Sequence, residues 1–421
     1  MSNGQPTTRL ARQLGIGDAV GIGLGAMLGA GAFAAPGPAA KLAGSGVLIA
    51  LLIAGLVAYA NATSTARLAA VHPNAGGVYA FGRARIGPTV GFTAGWAFVA
   101  GKVSSLVAMA LVFGAYATPS EPRAGAIAAV LALTAINLAG VKRTATAAKV
   151  GAGIVVIVLV SVAAATLGSS EANSSNLAPL TGSGGLHGLL GAAGIMFFAF
   201  AGYARIATLG EEIRDPARTI PRAVPIALAI AFLLYAGVTS GALAVLGSEG
   251  LAGSSAPLAD AARAASGSGL ATVVRFGAAI ATLGVLLSLL AGVARTSFAM
   301  ADDSELPRVL AAVHQRTRVP HIAQTAVGVL TAGLVLFIPT ITAIATSSVC
   351  VLTYYAIAHL SALRLSPAER RPSFLAPFGI VGCAALALSL PIESVVAGIA
   401  LIAAGVSARG LLRAAKHRSH R

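Results

Sequence analysis

Charge is scarce in this chain of 421 residues, since only 10% of them are Asp, Glu, Lys or Arg. A soluble domain carries roughly 25% of these residues, whereas this chain is 57% hydrophobic. So little charge cannot cover a water-facing surface of this size. The composition therefore excludes an ordinary soluble domain and predicts that the bilayer is the solvent for most of the surface.

Cysteines and metal-ligand spacings are also scarce. Cys350 and Cys383 both lie in apolar runs, and no CxxC motif occurs, so we expect buried small side chains rather than a disulfide framework. The seven histidines show no HExxH or other metal spacing. No nucleophile–base–acid set is visible either. We therefore expect no metal, no cofactor and no enzymatic activity.

Apolar segments, by contrast, occur along the whole chain, and most have about the 20 residues that cross the hydrocarbon. The first is longer than the roughly 7–15-residue apolar core of a signal peptide, so we interpret it as a retained helix. The longest connections, about 169–187 and 247–269, are rich in Ser and Gly and are interpreted as plain linkers. The sequence predicts one all-α integral membrane domain over residues 1–421. Its twelve transmembrane helices lie near 16–42, 45–71, 88–113, 124–141, 150–168, 188–209, 222–246, 270–297, 322–338, 341–362, 374–390 and 392–410.

Basic residues are unevenly divided between the two sides of this predicted bundle. With the N-terminus inside, 23 of the 29 lysines and arginines fall in inner segments and four in outer segments, while Lys102 and Arg205 lie within spans. Cytoplasmic loops are enriched in such residues. The asymmetry predicts a multi-pass protein of the cytoplasmic (inner) membrane with both termini cytoplasmic. It explains the net charge of +16 through contacts with anionic membrane lipids, and we expect no nucleic-acid partner.

Glycine is concentrated in span 1, which reads GIGLGAMLGAGAF over 21–33, and Gly202 lies near the middle of span 6. Each glycine costs about 1 kcal/mol in a helix interior relative to alanine. Paired interrupted helices at matching positions of two halves indicate a transporter binding site, because a bound solute can satisfy the freed backbone groups. The alternative is close helix packing through the small-residue face Gly21-xxx-Gly25-xxx-Gly29. We expect unwinding at Gly29–Gly31.

Five segments together resemble the amino acid–polyamine–organocation (APC) superfamily of transporters, in order and at its usual spacing over about residues 10–365. They are the span-1 break GAGAF (29–33), the loop PNAGGVY (73–79), the span-6 core FAFAGY (198–203), the inner segment GEEIRDPARTIPR (210–222) and the span-8 end FAMADDSELP (298–307). The last two spans carry little of this signature.

The resemblance implies a LeuT-like fold of two inverted five-helix repeats, about 16–168 and 188–362, with discontinuous helices 1 and 6. Two accessory C-terminal helices would follow at 374–410. It also implies alternating access, in which a helix bundle rocks against a scaffold. The substrates of the superfamily are amino acids, polyamines and related amines, moved by proton symport or by exchange.

The resemblance also carries over candidate site residues. Gly29, Ala30 and Gly31 would meet the carboxylate of the substrate, while Phe198, Ala201 and Gly202 would line the other side, with Phe198 either as a gating aromatic or as an ordinary core residue. Glu211 and Glu212, at the inner mouth, would take part in gating, or would have a structural role in which they cap span 7 or pair with basic loops, and the structural role is favoured. The full set of substrate-binding candidates is Met27, Gly29, Ala30, Gly31, Lys102, Phe198, Ala201 and Gly202.

The sequence departs from the superfamily in its acidic residues, none of which lies near the middle of a span. Ala204 stands where many members carry Asp or Glu, and the stretch 153–160 of span 5 lacks the lysine found in some proton-coupled members. A carboxylate proton relay at the midplane is therefore absent. This absence disfavours polyamines and dibasic amino acids and favours a neutral or carboxylate-bearing substrate.

Lys102 lies in span 3 without an intramembrane acid to pair with, although a lysine at a helix centre costs about 2.5–3.5 kcal/mol. It must be neutral, meet carbonyls of a broken helix, or meet the substrate. One hypothesis makes Lys102 the titrating group that couples transport to protons, and a second makes it bind a substrate carboxylate. Snorkelling to an interface is the alternative. Arg205 and the Ser288 hydroxyl are further coupling or gating candidates.

A secondary active transporter is the leading functional hypothesis. A membrane solute sensor built on the same fold is a second, although such sensors usually append a signalling tail. A cationic amino acid or polyamine exchanger is a third. Flux of labelled solute separates the transporters from the sensor.

Overall fold

The computed structural model describes residues 14–71, 77–140, 145–182, 184–207, 213–366 and 374–419. Within these ranges the only β-structure is an isolated bridge between Leu14 and Ile213, and three short 3₁₀ turns accompany the α-helices. The helices are α1 (Ile16–Met27), α2 (Ala30–Ala34), α3 (Pro36–Ala43), α4 (Val47–Val71), α5 (Gly77–Arg85), α6 (Pro88–Ala117), α7 (Pro122–Leu138), α8 (Ala145–Leu167), α9 (Gly185–Phe200), α10 (Ala204–Ala207), α11 (Pro216–Gly253), α12 (Pro257–Ser266), α13 (Ser268–Asp302), α14 (His321–Val335), α15 (Thr340–Ala362), α16 (Leu375–Leu388) and α17 (Ile392–Ser419).

Nine stretches of the described chain are long and apolar enough to cross a membrane. Three shorter apolar helices, α7, α14 and α16, occupy the positions of predicted spans 4, 9 and 11. The all-α prediction is therefore confirmed, while the count of twelve spans stays a prediction. The nine stretches are Ile16–Ala34, Pro36–Val71, Pro88–Ala117, Thr146–Leu167, Gly185–Ile206, Arg218–Gly253, Ser268–Asp302, Thr340–Ala362 and Ile392–Leu411.

Helices α6 and α15 form the centre of the bundle. They pack against each other, and α6 also packs against α13. In each of the two, 78% of the apolar window is buried inside the protein, against 28% in α8 and α17. Large apolar side chains such as Phe276 and Phe337 are exposed on the outside, which is the pattern of a surface that faces lipid rather than water.

The segment 247–269 is not the plain linker that its Ser/Gly content predicts. Helix α11 continues through a bend at Gly247, where φ is +68°, and α12 follows with Leu258 and Ala259 buried. Pro257 in the first turn and Gly267 after the last are ordinary start and stop signals. The linker prediction was therefore wrong here, because alanine and leucine give this segment an apolar helical face.

The two C-terminal helices are separate, as predicted. Helix α16 ends at Leu388, and α17 begins at Ile392 after Pro391. Helix α17 continues to Ser419, beyond the predicted end at residue 410. Arg409 lies within the predicted span and Arg413 lies on the additional length, and both contact Glu305.

Candidate functional site

The first long apolar stretch is interrupted where its glycines cluster. Helix α1 ends at Met27, Leu28 has ψ 37°, and Gly29 has ψ −140°, both outside the helical range. Helix α2 then begins at Ala30. The backbone therefore breaks at Leu28–Gly29, at the start of the unwinding expected over Gly29–Gly31, and Gly31 itself lies in α2.

The second interruption follows α9. Ala201, Gly202 and Tyr203 form a turn, in which the Tyr203 N–H donates to the Phe200 carbonyl at 3.2 Å. Helix α10 then begins at Ala204. Because the turn uses bonds to the third preceding residue, the carbonyl of Ala199 loses its usual partner four residues on.

The two interruptions touch through their backbones. A Cβ atom at Gly202 would overlap the backbone of Ala26 and Met27, and one at Gly31 would overlap the backbone of Ala199. A Cβ at Gly29 would come within 2.6 Å of a Val285 methyl group. Close packing and unwinding are thus both present here, since only glycine allows two broken helices to approach this closely.

Tyr235 of α11 joins the two breaks, and it is not among the site residues predicted from the sequence. Its buried hydroxyl lies 2.8 Å from the Met27 carbonyl and 3.0 Å from the Ala199 carbonyl. The hydroxyl has one proton to donate, so the two carbonyls share it. A signal was present in the sequence, because a tyrosine inside an apolar span needs a partner for its hydroxyl.

Lys102 reaches the second break from α6. The side chain is buried, its Nζ atom lies 3.5 Å from the Ala201 carbonyl, and it stands 6.0 Å from the centre of the Phe98 ring. Of the three environments expected for this lysine, contact with a carbonyl of a broken helix is the one observed. A distance of 3.5 Å is long for a hydrogen bond, so the contact leaves capacity to bind a further acceptor.

The remaining candidates lie at different distances from the breaks. Phe198 is buried in the last turn of α9. Ser288 is exposed on α13 and donates to the Gly284 carbonyl of its own helix. Arg205 is exposed on α10. Ala30 is the first residue of α2, directly after the first break. Glu211 and Glu212 lie outside the described residues.

A charged network closes one end of the bundle, next to α5, α13 and α17. Glu305 is buried and accepts from the Arg409 guanidinium at 2.5 and 3.0 Å and from Arg413 at 3.1 Å. Burial opposes ionisation of Glu305, but these hydrogen bonds and positive charges outweigh it and lower its pKa. Tyr79 and Arg83 both bind Asp303 nearby.

Tyr79 has a raised pKa in this network. Burial and the Asp303 carboxylate raise the pKa of its hydroxyl to about 12. The Tyr79 hydroxyl therefore remains a proton donor to Asp303, at 2.5 Å, throughout the physiological range. These contacts tie α5 to the end of α13.

Comparison with known proteins identifies the family of this chain. The profile of the amino acid permease family matches residues 14–406. An uncharacterized transporter of Mycobacterium tuberculosis is 51% identical over 405 residues, which cover 96% of this chain and 92% of the relative. The branched-chain amino acid permease BcaP of Bacillus subtilis is 27% identical over 355 residues, or 78% of this chain and 76% of BcaP. Cationic amino acid transporter 6 of Arabidopsis thaliana, a chloroplastic protein, is 29% identical over 348 residues, which cover 76% of this chain and 60% of that transporter. The chain is therefore a multi-pass membrane transporter rather than an enzyme, and it belongs to the amino acid permease family of the APC superfamily.

Proposed function

We propose that this protein is a secondary active transporter that moves a neutral or carboxylate-bearing amino acid by alternating access. The observation that carries the proposal is the contact between the two broken helices at Gly29–Gly31 and Ala201–Tyr203. Main-chain groups freed at such breaks can bind the carboxylate and ammonium groups that every amino acid has. Proton symport or exchange supplies the driving force.

The architecture proposed for this function is a twelve-span bundle with two inverted repeats. The first repeat comprises residues 16–168 and the second 188–362, with the helices of 374–410 as accessories. This division is supported by the breaks, which fall in the opening helix of each half. The basic residues favour the cytoplasmic membrane with both termini inside, and lipid headgroups as partners of the inner loops.

Charge around the breaks favours a substrate without a second positive group. Buried Lys102 brings a cation to the second break, where its Nζ lies 3.5 Å from the Ala201 carbonyl. Among the described residues, the acidic ones closest in the sequence to the breaks are Asp18 and Asp215, and each pairs with a basic residue, Lys149 and Arg218 respectively. We therefore place Lys102 at the substrate carboxylate, with Met27 and Phe198 lining the site.

Uptake into proteoliposomes tests the proposal. Labelled leucine, glutamate, arginine and spermidine would be offered separately, each against an internal pool of the same solute. We expect flux of leucine or glutamate. Flux of arginine or spermidine alone would instead support a cationic amino acid or polyamine exchanger, and binding of a solute without any flux would support a sensor.

Lys102→Met tests the site directly, with Lys41→Met as the matched control on an exposed lysine. A hydrogen bond to a charged group contributes about 1.5–3 kcal/mol, so KM for a carboxylate substrate should rise roughly 10- to 150-fold. Loss of pH dependence in the Lys102 variant would show that this lysine is the titrating group. Unchanged KM together with an unchanged pH profile would contradict both roles.

A further inference from the structure

A fully buried polar cluster lies where α4, α15 and α16 meet, and the proposed substrate site does not include its residues. His359 and Asn61 are 0% exposed, and Ser64 and Cys383 are 1% exposed. The His359 ring packs against the α16 backbone, where a side chain at Gly379 would overlap the ring. The ring therefore has a fixed position in this conformation.

The hydrogen bonds assign a tautomer to the ring. His359 Nε2 lies 2.7 Å from Asn61 Oδ1, which also accepts from Cys383 Sγ at 3.2 Å. With the amide oxygen of Asn61 facing the ring, Nε2 carries a proton, because an amide oxygen only accepts. His359 Nδ1 lies 2.9 Å from Ser64 Oγ and accepts from its hydroxyl, which makes Nδ1 the one ring position able to take up a proton.

The cluster can accommodate that proton through one hydroxyl rotation. Protonated Nδ1 must donate to Ser64 Oγ, so the Ser64 hydroxyl must turn its own hydrogen elsewhere. The adjacent residues Thr63 and Thr65 show where it can go, because each donates at 2.8 Å to the carbonyl four residues earlier. For Ser64 that acceptor is the Ala60 carbonyl.

The surroundings offer little compensation for a positive charge. In the part of the chain that the structure describes, no carboxylate bonds to the His359 ring, and the ionisable groups at the cluster are Cys383, Tyr355 and Tyr203. The other ionisable groups on α15 and on the helices packed against it lie elsewhere; among the residues whose side chains are described they are Cys350 and Tyr354 of α15, Tyr59 and Arg67 of α4, Tyr79, Arg83 and Arg85 of α5, Lys102 and Tyr116 of α6, His187 of α9, and Glu393, Arg409 and Arg413 of α17. A buried unpaired cation is costly, so protonation is favoured only in a conformation that admits water to the cluster.

Tyr203 connects this cluster to the second break. It directly follows Gly202, and its ring lies 5.4 Å from that of Tyr355, one turn before His359 on α15. The Tyr203 hydroxyl lies beside the Asn61 amide and the Tyr355 hydroxyl, but neither the Tyr203 hydroxyl nor Asn61 Nδ2 makes a hydrogen bond of good geometry in this conformation. Motion of the break therefore changes the contacts of the cluster, and access of water would satisfy both atoms.

We propose that His359 is a proton-binding site that couples proton movement to transport, an inference that rests on the proposed function. When the cluster opens, an N–H bond forms between His359 Nδ1 and a proton delivered by water. When the break has changed and the cluster opens to water on the other side, that N–H bond breaks and the proton passes to this water, after which the cluster closes around the neutral ring. No electrons are transferred.

The test compares His359→Gln with the wild type in proteoliposomes, using His187→Gln on an exposed histidine as the matched control. The solute is the amino acid that the uptake experiment above identifies as a substrate. Its transport is measured as counterflow without a pH gradient and, separately, as accumulation driven by a pH gradient. We expect His359→Gln to keep counterflow within about twofold of wild type and to lose at least tenfold of the gradient-driven accumulation. A merely structural role would reduce both together.

Ser64→Ala keeps the proposal testable if the histidine variant does not fold. Ser64→Ala removes the hydroxyl that accepts a hydrogen bond from protonated His359 Nδ1. This bond to the charged ring is stronger than the bond to the neutral ring, so its loss disfavours protonation and the pH of half-maximal uptake should move to lower values. Gradient-driven uptake with an unchanged pH profile in these variants would overturn the inference about His359 but not the proposed function. Wild-type counterflow that does not respond to pH would have the same meaning. Absence of wild-type counterflow overturns the proposed function and the inference with it.

Discussion

Replacement of Tyr235 by phenylalanine is the sharpest test of how the two breaks are held together. The change removes one oxygen atom and leaves the ring, which packs 5.2 Å from that of Phe200. The hydroxyl is the donor shared by the Met27 and Ala199 carbonyls. Neither carbonyl has its usual helical partner, because the helix is broken just beyond each of them.

The cost follows from those two carbonyls. A buried polar group left unsatisfied costs about 1–3 kcal/mol, and since one proton is shared, Tyr235→Phe should cost that amount once rather than twice. The apparent Tm should then fall by a few degrees. Tyr59→Phe is the matched control, because Tyr59 is 42% exposed on α4, and a surface change of this kind stays within about 0.5 kcal/mol.

The protein carries its own reporter for this measurement. Cys350 and Cys383 are both free and buried, so a thiol-reactive dye labels them only as the structure opens. Thermal unfolding in detergent, followed by this labelling, gives the Tm of each variant. A fall for Tyr235→Phe no larger than that for Tyr59→Phe would refute the role of the hydroxyl.

Two further changes test the packing of the breaks and the charged network. Gly202→Ala should abolish transport and cost about 3 kcal/mol of stability, because the added methyl group overlaps the backbone of the first break. Gly292→Ala is the control, since its methyl group enters open space on a helix and should stabilise the protein by up to about 1 kcal/mol. Equal Tm values for the two variants would contradict this reasoning. Glu305→Gln should cost about 3 kcal/mol near neutral pH by leaving Arg409 buried and unpaired, with the exposed Glu249→Gln as control. The pKa of Glu305 is lowered in the folded state, so the stabilising contribution of this carboxylate is complete above the ordinary glutamate pKa of about 4.3. The contribution is lost as the pH falls below that value. The Tm difference between the wild type and Glu305→Gln should therefore shrink as the pH is lowered below about 4.3.

The sequence was sufficient to locate the interruptions, for a physical reason. A break needs residues that tolerate non-helical backbone and close approach, and glycine supplies both within one short stretch. The load of glycines in 21–33 and the single Gly202 were therefore readable without any structure. Backbone geometry placed the first break at Leu28–Gly29, slightly earlier than expected.

Contacts between distant residues were not readable in the same way. The His359–Asn61 bond joins positions 298 residues apart, and each residue alone looks like an isolated polar side chain in an apolar span. Helix α12 was missed for a different reason, because the Ser/Gly-rich segments on either side of it dominate the local composition. Local patterns report local geometry, whereas these features depend on which helices become neighbours.

The meeting of the two breaks has a consequence for how such a protein can diversify. The contact is made by main chain against main chain, through Gly31 and Gly202, and the main chain is chemically the same whatever side chains a sequence encodes. Under the proposed function, recognition of the groups common to all amino acids can therefore stay constant while a lining side chain such as Phe198 varies. Specificity for the variable part of the solute then becomes a separate property, which can change without dismantling the transport cycle.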